Sequence, residues 1–302
     1  MDARLQTLQA QLDSIVVGKS QAVRLTLTAL LAGGHALLED VPGVGKTLLA
    51  KAIAQSIAGS FQRIQCTPDL LPSDITGTNI WNPQNGAFEF IPGPIFANIC
   101  LADEINRATP RTQAAMLEVM EEEQVTIDGT TRPVPEPFFA IATQNPIEYQ
   151  GTFTLPEAQL DRFALSFSLG YPELEDELDI LRRQQKGSPL QELKACLSLA
   201  DVTELRQACL QVKVTESLQR YILAVVRATR THPSLVLGAS PRGSVMLQRT
   251  AQAWAYLLGR NFVIPDDVKT LAPYVLSHRV LTDGSGTAMA IVGEILAGMP
   301  VE

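Results

Sequence analysis

The stretch Asp40-Val41-Pro42-Gly43-Val44-Gly45-Lys46-Thr47 gathers the residue types that hold a polyphosphate. Gly43 and Gly45 can adopt backbone angles that other residues avoid, so consecutive N–H groups can turn inward around an anion. A helix opening at this point adds the positive end of its dipole. Lys46 would reach the β- and γ-phosphates, and the Thr47 hydroxyl would hold Mg2+. Val41, Pro42, Val44 and Leu48 complete the loop. A glycine is usual at its first position, where this chain has Asp40. A second pair of groups suits the same chemistry. The apolar run Asn98-Ile99-Cys100-Leu101-Ala102 ends in Asp103-Glu104. Asp103 would join Thr47 around Mg2+, and Glu104 would orient and activate an attacking water.

These groups need strand ends to carry them. Ala36-Leu37-Leu38 reads as a strand feeding the glycine loop, and Leu48 to Ala54 as the helix after it. The run before Asp103 reads as a buried central strand of a parallel sheet, whose carboxyl edge is where open α/β sheets place ligands. Phe61 to Cys66 and Phe138 to Thr143 are further strands, the latter leading to Gln144-Asn145-Pro146. Ala164 to Leu169 is the last strand, after a short helix over Pro156 to Phe163.

Leu5, Leu8, Leu12 and Ile15 predict an amphipathic first helix, and Ser20 to Leu31 a second, ended by Gly33-Gly34. Gly18 and Lys19 between them either touch a nucleotide base or form an ordinary turn. Thr67 to Pro94 is a long irregular stretch with two short strands, at 79–81 and 87–90, and reads as a functional insertion or a surface loop. Thr109 to Glu123 predicts a helix with Ala114, Leu117 and Met120 on one face, its closing Glu121-Glu122-Glu123 solvated. Asp128-Gly129 predicts a tight hairpin within 124–134. From Glu173 onward the pattern is helical, with a hinge at Lys186-Gly187-Ser188-Pro189. Asp201 is a candidate cap for Val202 to Leu210, and further helices cover 217–229, a segment from about 240 through Leu258, and one opening at Pro265.

The chain has 302 residues, 46% hydrophobic, with a net charge of −8. No run is long enough to span a bilayer, and Met1-Asp2-Ala3-Arg4-Leu5 lacks a signal peptide's layout, which points to the cytoplasm. Cys66, Cys100, Cys196 and Cys209 are scattered, as free thiols in a reducing compartment would be. The acidic balance argues against a nucleic-acid partner.

The order of these motifs resembles the AAA+ ATPases, and the wording is similar to the MoxR family. Leu38-Glu39-Asp40-Val41-Pro42-Gly43, Asp103-Glu104-Ile105-Asn106-Arg107-Ala108 and Ala142-Thr143-Gln144-Asn145-Pro146 carry the likeness over most of the chain. It accommodates Asp40. It implies a three-layer α/β/α core with a parallel sheet over residues 1–186, followed by an all-α lid over 187–302. Residues 67–94 would be the helix-2 insertion and 124–134 the hairpin before sensor 1. Asn145 would be sensor 1, and Arg162 an arginine finger offered to a neighbouring subunit, unless it only pairs with Asp161 or Glu157. Arg107 and Arg111 are the other candidates for that role. Gly238 to Gly243 resembles sensor 2, which makes Arg242 the lid's cation toward the phosphates. The resemblance further implies ATP and Mg2+ as cofactors, a ring, usually hexameric, a partner with a von Willebrand factor A domain, and chaperone-like maturation of protein clients. The alternative is a motor subunit of a metal chelatase or of a nucleic-acid remodelling complex.

Overall fold

The structure is a computed structural model that describes residues 2–146, 151–185 and 189–300. The expected hinge at Lys186-Gly187-Ser188, and with it the 186/187 boundary, lies outside the described residues.

Two helices open the chain, α1 (Ala3–Ile15) and α2 (Ser20–Leu31), turned by Gly18 at φ 73°. There follow β1 (Ala36–Glu39), α3 (Lys46–Ser56), β2 (Phe61–Gln65), the short α4 (Pro72–Thr76), the hairpin β3 (Gly77–Asn82) and β4 (Ala87–Pro92), and β5 (Ile99–Asp103). Next are α5 (Pro110–Glu122), the hairpin β6 (Gln124–Ile127) and β7 (Thr130–Pro133), β8 (Phe139–Gln144), α6 (Glu157–Leu160) and β9 (Leu165–Phe167). The central sheet has the order β2-β5-β8-β1-β9, every neighbouring pair parallel. Parallel pairs need crossovers, and α3 and α5 supply two of them.

Successive residues of each strand face opposite layers. Ala36, Leu38, Ile99, Leu101, Phe139 and Ile141 pack against α1, α2 and α3. Leu37, Cys100, Ala102, Ala140 and Ala142 pack against α5. Each of these strand residues has no solvent exposure, as a sheet covered on both faces requires. His35, buried just before β1, accepts from Ala140 N at Nδ1 (3.1 Å), so Nε2 carries the proton donated to Met120 O (2.8 Å). Burial holds its pKa down to about 4.

Beyond β9 lie α7 (Leu174–Gln184), α8 (Leu199–Leu210), α9 (Glu216–Thr229), β10 (Leu235–Leu237), α10 (Pro241–Leu257), α11 (Pro265–Leu276), β11 (Leu281–Thr282) and α12 (Ala288–Gly298). The lid is thus not wholly helical, because β10 and β11 pair antiparallel. One apolar cluster runs from the sheet through α1, α2 and α3 into α8 to α12, so the lid shares the core's packing.

Two local expectations need correction. On α5, Ala114 faces solvent, and the buried face is Thr112, Gln113, Met116, Leu117, Val119 and Met120. Gln113 is tolerated inside because its amide donates to the carbonyls of Ile105, Ala108 and Phe153. Helix α8 starts three residues earlier than expected, capped by Ser198, while Asp201 reaches back to the Ser198 backbone N–H at 2.8 Å as the second half of a capping box. The predicted Asp128-Gly129 turn is present, with φ 49° and 77°. The β3–β4 and β6–β7 hairpins touch: Asn79 donates to Asp128 at 2.6 Å, and the Arg132 guanidinium lies 4.2 Å from the Phe90 ring centre.

Candidate functional site

The glycine loop leaves the carboxyl end of β1, and its geometry follows from its residue types. Gly43 and Gly45 have φ 89° and 100°, angles costly for any side chain, although nothing lies within 4 Å of where a Cβ would stand. Conformation therefore demands glycine there, and open space remains for a ligand. Lys46, 9% exposed, arches over the loop and donates to the carbonyls of Asp40 (3.1 Å) and Val41 (3.3 Å). Asp40 has a role of its own. Its buried carboxylate accepts from Ser168 Oγ (2.6 Å) and from the backbone N–H groups of Leu169 and Gly170, tying the loop to the chain leaving β9.

Asp103 and Glu104 stand at the carboxyl end of β5, with β8 between them and β1. Thr143 of β8 fixes both. Its hydroxyl donates to Asp103 Oδ1 (2.7 Å) and accepts from Glu104 N (2.9 Å). Arg63 of β2 grips Asp103 Oδ2 from the other side, through Nε (3.1 Å) and Nη2 (2.6 Å). Glu104 has φ 57°, a left-handed conformation rare outside glycine and costing on the order of 1 kcal/mol or more. Its carboxylate receives Gln65 Nε2 (3.3 Å) and faces Arg107 Nε (3.5 Å). Buried Cys66 next to this pair has its thiol pushed up to about 12, by burial first and by the Asp103 and Glu104 charges second, so it stays protonated.

These groups line one cleft of about 360 Å³: Pro42, Gly43, Gly45, Lys46, Thr47, Leu48, Arg63, Asp103 and Glu104. A second cavity of about 300 Å³ adjoins it through Gly43, Gly45 and Leu48, and is walled by Ile15, Val16, Val17, Pro172 and Ile180. Lys19 borders that apolar cavity and donates to Tyr171 O at 2.6 Å. A polar cleft opening into an apolar one has the shape of a phosphate chain followed by a base.

The remaining expected residues lie elsewhere. Asn145 follows β8 in a neighbouring hollow with Asn106, Gln144, Thr154 and Leu160. Arg162 and Arg242 do not line the cleft. Both rest on Glu121 at the end of α5, Arg162 Nε at 3.1 Å from Oε2 and Arg242 Nη2 at 2.5 Å from Oε1. Glu121 is therefore ion-paired rather than simply solvated, because the last turn of α5 meets both α6 and the start of α10. Arg111 is exposed in the first turn of α5. Sequence reasoning missed Arg63, Gln65, Glu121 and the anchoring role of Thr143. Arg63, Gln65 and Thr143 reach the site only through strand order and register, and Glu121 meets its two arginines, away from the cleft, only through the approach of α6 and α10 to the end of α5.

Residues 35–165 match the family described as ATPase family associated with various cellular activities (AAA), and residues 227–295 match the AAA lid domain. The uncharacterized protein YeaC of Bacillus subtilis is 50% identical over 96% of this chain and 92% of its own length. Chaperone MoxR1 of Mycobacterium tuberculosis is 43% identical over 93% of this chain and 77% of its own. Protein MoxR of Paracoccus denitrificans is 30% identical over 92% and 88%. A solved structure from Cytophaga hutchinsonii, described only as a candidate ATPase, superposes with a TM-score of 0.93 at 38% identity, over 99% of this chain and 95% of that one. With the glycine loop, the strand-borne acidic pair and the lid all in place, the chain belongs to the MoxR family of AAA+ ATPases.

Proposed function

We propose that this protein binds ATP with Mg2+ in the cleft, hydrolyses it at subunit interfaces of a ring, and uses the cycle for chaperone-like remodelling or maturation of a protein client in the cytoplasm. The observation that carries the reading is the meeting of Lys46, Thr47, Asp103 and Glu104 in one cleft beside an apolar cavity. The donor set fits the nucleotide and its metal: turned-in amides and one ammonium for phosphate, a hydroxyl and a carboxylate for a hard cation. The metal would neutralise charge on the phosphate oxygens.

The chain's own groups do the rest. Lys46 and the backbone N–H groups from Gly43 to Leu48 bind and orient the phosphates, with Val41 and Pro42 completing the loop. Glu104, held by the Thr143 bond to its backbone, orients a water and takes its proton at the carboxylate. Asn145 helps place that water. Arg162 serves a neighbouring subunit's phosphates, where a cation stabilises charge that builds in the transition state. Arg242 stands beside Arg162 on Glu121, and so is offered on the same side of the subunit. A client and a partner with a von Willebrand factor A domain belong to this proposal; one relative bears the name chaperone.

Phosphate release and nucleotide titration test the chemistry. Glu104→Gln should bind ATP normally and lose about a hundredfold or more in turnover, whereas Lys46→Ala should lose binding. Equal turnover in the wild type and Glu104→Gln would remove Glu104 from the reaction.

A further inference from the structure

The segment that carries Arg162 is held by a buried cation from the lid. Arg279 follows α11, and its side chain is 1% exposed. Nε donates to Asp161 Oδ1 at 2.8 Å, and Nη2 to the Asp161 carbonyl at 3.1 Å. The same fork reaches the carbonyls of Phe163, Ala164 and Val275. An arginine fork saturated in this way fixes every atom it touches, and what it touches is the backbone on both sides of Arg162. A second lid element meets the same carboxylate: Ser240, the cap of α10, donates to Asp161 Oδ2 at 2.7 Å. Asp161 therefore faces the lid, while Arg162, next in sequence, faces α5 and Glu121.

We propose that Arg279 is the positioning residue for Arg162, so that the placement of the lid on the core sets where Arg162 stands toward a neighbouring subunit. This rests on the reading above that Arg162 acts at a neighbour's phosphates. Burial draws the Arg279 pKa down to about 10, opposed by Asp161, so the group remains a cation at neutral pH. Among the described residues the counter-ion paired with Arg279 is Asp161, and leaving this buried cation unpaired while the lid stays docked would be costly. Any rotation of the lid must drag the Asp161-Arg162 step with it or break the fork. Hydrolysis in one subunit then depends on the lid of the next.

Mixed full-length subunits test this. Arg162→Ala subunits keep an intact cleft; Lys46→Ala subunits keep an intact Arg162. Their mixture, with hetero-oligomers verified by differently tagged subunits, should recover phosphate release, and a dead mixture would overturn the Arg162 reading itself. In the second mixture the Lys46→Ala partner also carries Arg279→Lys, which keeps the charge and loses the fork. The recovered kcat should then fall about tenfold or more below the first mixture, with KM for ATP unchanged, because only the geometry of the offered cation has changed. Equal recovery in both mixtures would overturn the role of Arg279 and leave Arg162 standing. A raised KM at unchanged kcat would also overturn it, by marking general loosening of the lid. Lys46→Ala with Asp161→Asn, run in parallel, decides the matter if thermal melting shows that the Arg279 variant does not fold.

Discussion

Asp103 has two oxygens and two claimants. Thr143 occupies Oδ1, and Arg63 occupies Oδ2 at 2.6 Å. A cation beside the carboxylate proposed for Mg2+ opposes the metal electrostatically. Arg63→Gln should therefore lower the Mg2+ concentration for half-maximal ATP hydrolysis by about threefold or more, screened in part because Arg63 is half exposed. Phosphate release across a Mg2+ titration reads this directly, and a higher requirement in the variant would make Arg63 a helper of the metal instead. The motif residues could be read in the sequence because their chemistry depends on spacing within a few positions. Arg63 could not, since Gln65 pairs with Asp103 only through the register of β2 on β5. Nothing in the residues around Arg63 sets that register apart.

At the scale of elements, Asp40 is the link between the glycine loop and the chain after β9. Its carboxylate satisfies two backbone N–H groups and one hydroxyl. Asp40→Ala would strand those donors and should cost about 2–4 kcal/mol of unfolding free energy, measured by urea denaturation. A change within about 0.5 kcal/mol would mean that water replaces the carboxylate at little cost. The sequence marked Asp40 only as a departure from glycine, because its partners lie about 130 positions away. Elements were legible where their signals were local. Periodic leucines marked α1, and Asp128-Gly129 marked the hairpin. The buried face of α5 was misread because Gln113 looks polar, and only its three carbonyl partners make burial affordable.

For the whole molecule, buried histidines set a pH limit. His35 is held near 4 in the fold against 6.5 for the free side chain, by burial. His278 is likewise pushed well below its ordinary value by burial, and by Arg279. Above pH 6.5 neither state binds the proton, and nothing is lost. As pH falls from 6.5 toward 4, the unfolded chain takes up protons that the native fold refuses. Stability should then decline by up to about 1.4 kcal/mol per pH unit for each such histidine. Urea denaturation at pH 7, 6 and 5 should show the decline, and a flat profile would mean that the histidines are solvated. The sheet and its layers were readable from continuous apolar strands, but the docking of the lid on α1 and α2 was not, because amphipathic helices advertise a buried face without naming what covers it. The two hairpins offer a mechanical corollary. Asn79 on Asp128 and Arg132 on Phe90 join them at two separate points, and two points remove the freedom to swing apart. Exposed Trp81 and Phe88 stand beside the turn of one hairpin, and the other begins directly after the final turn of α5. A load on the joined hairpins would reach the turn that bears Glu121, the seat of both arginines.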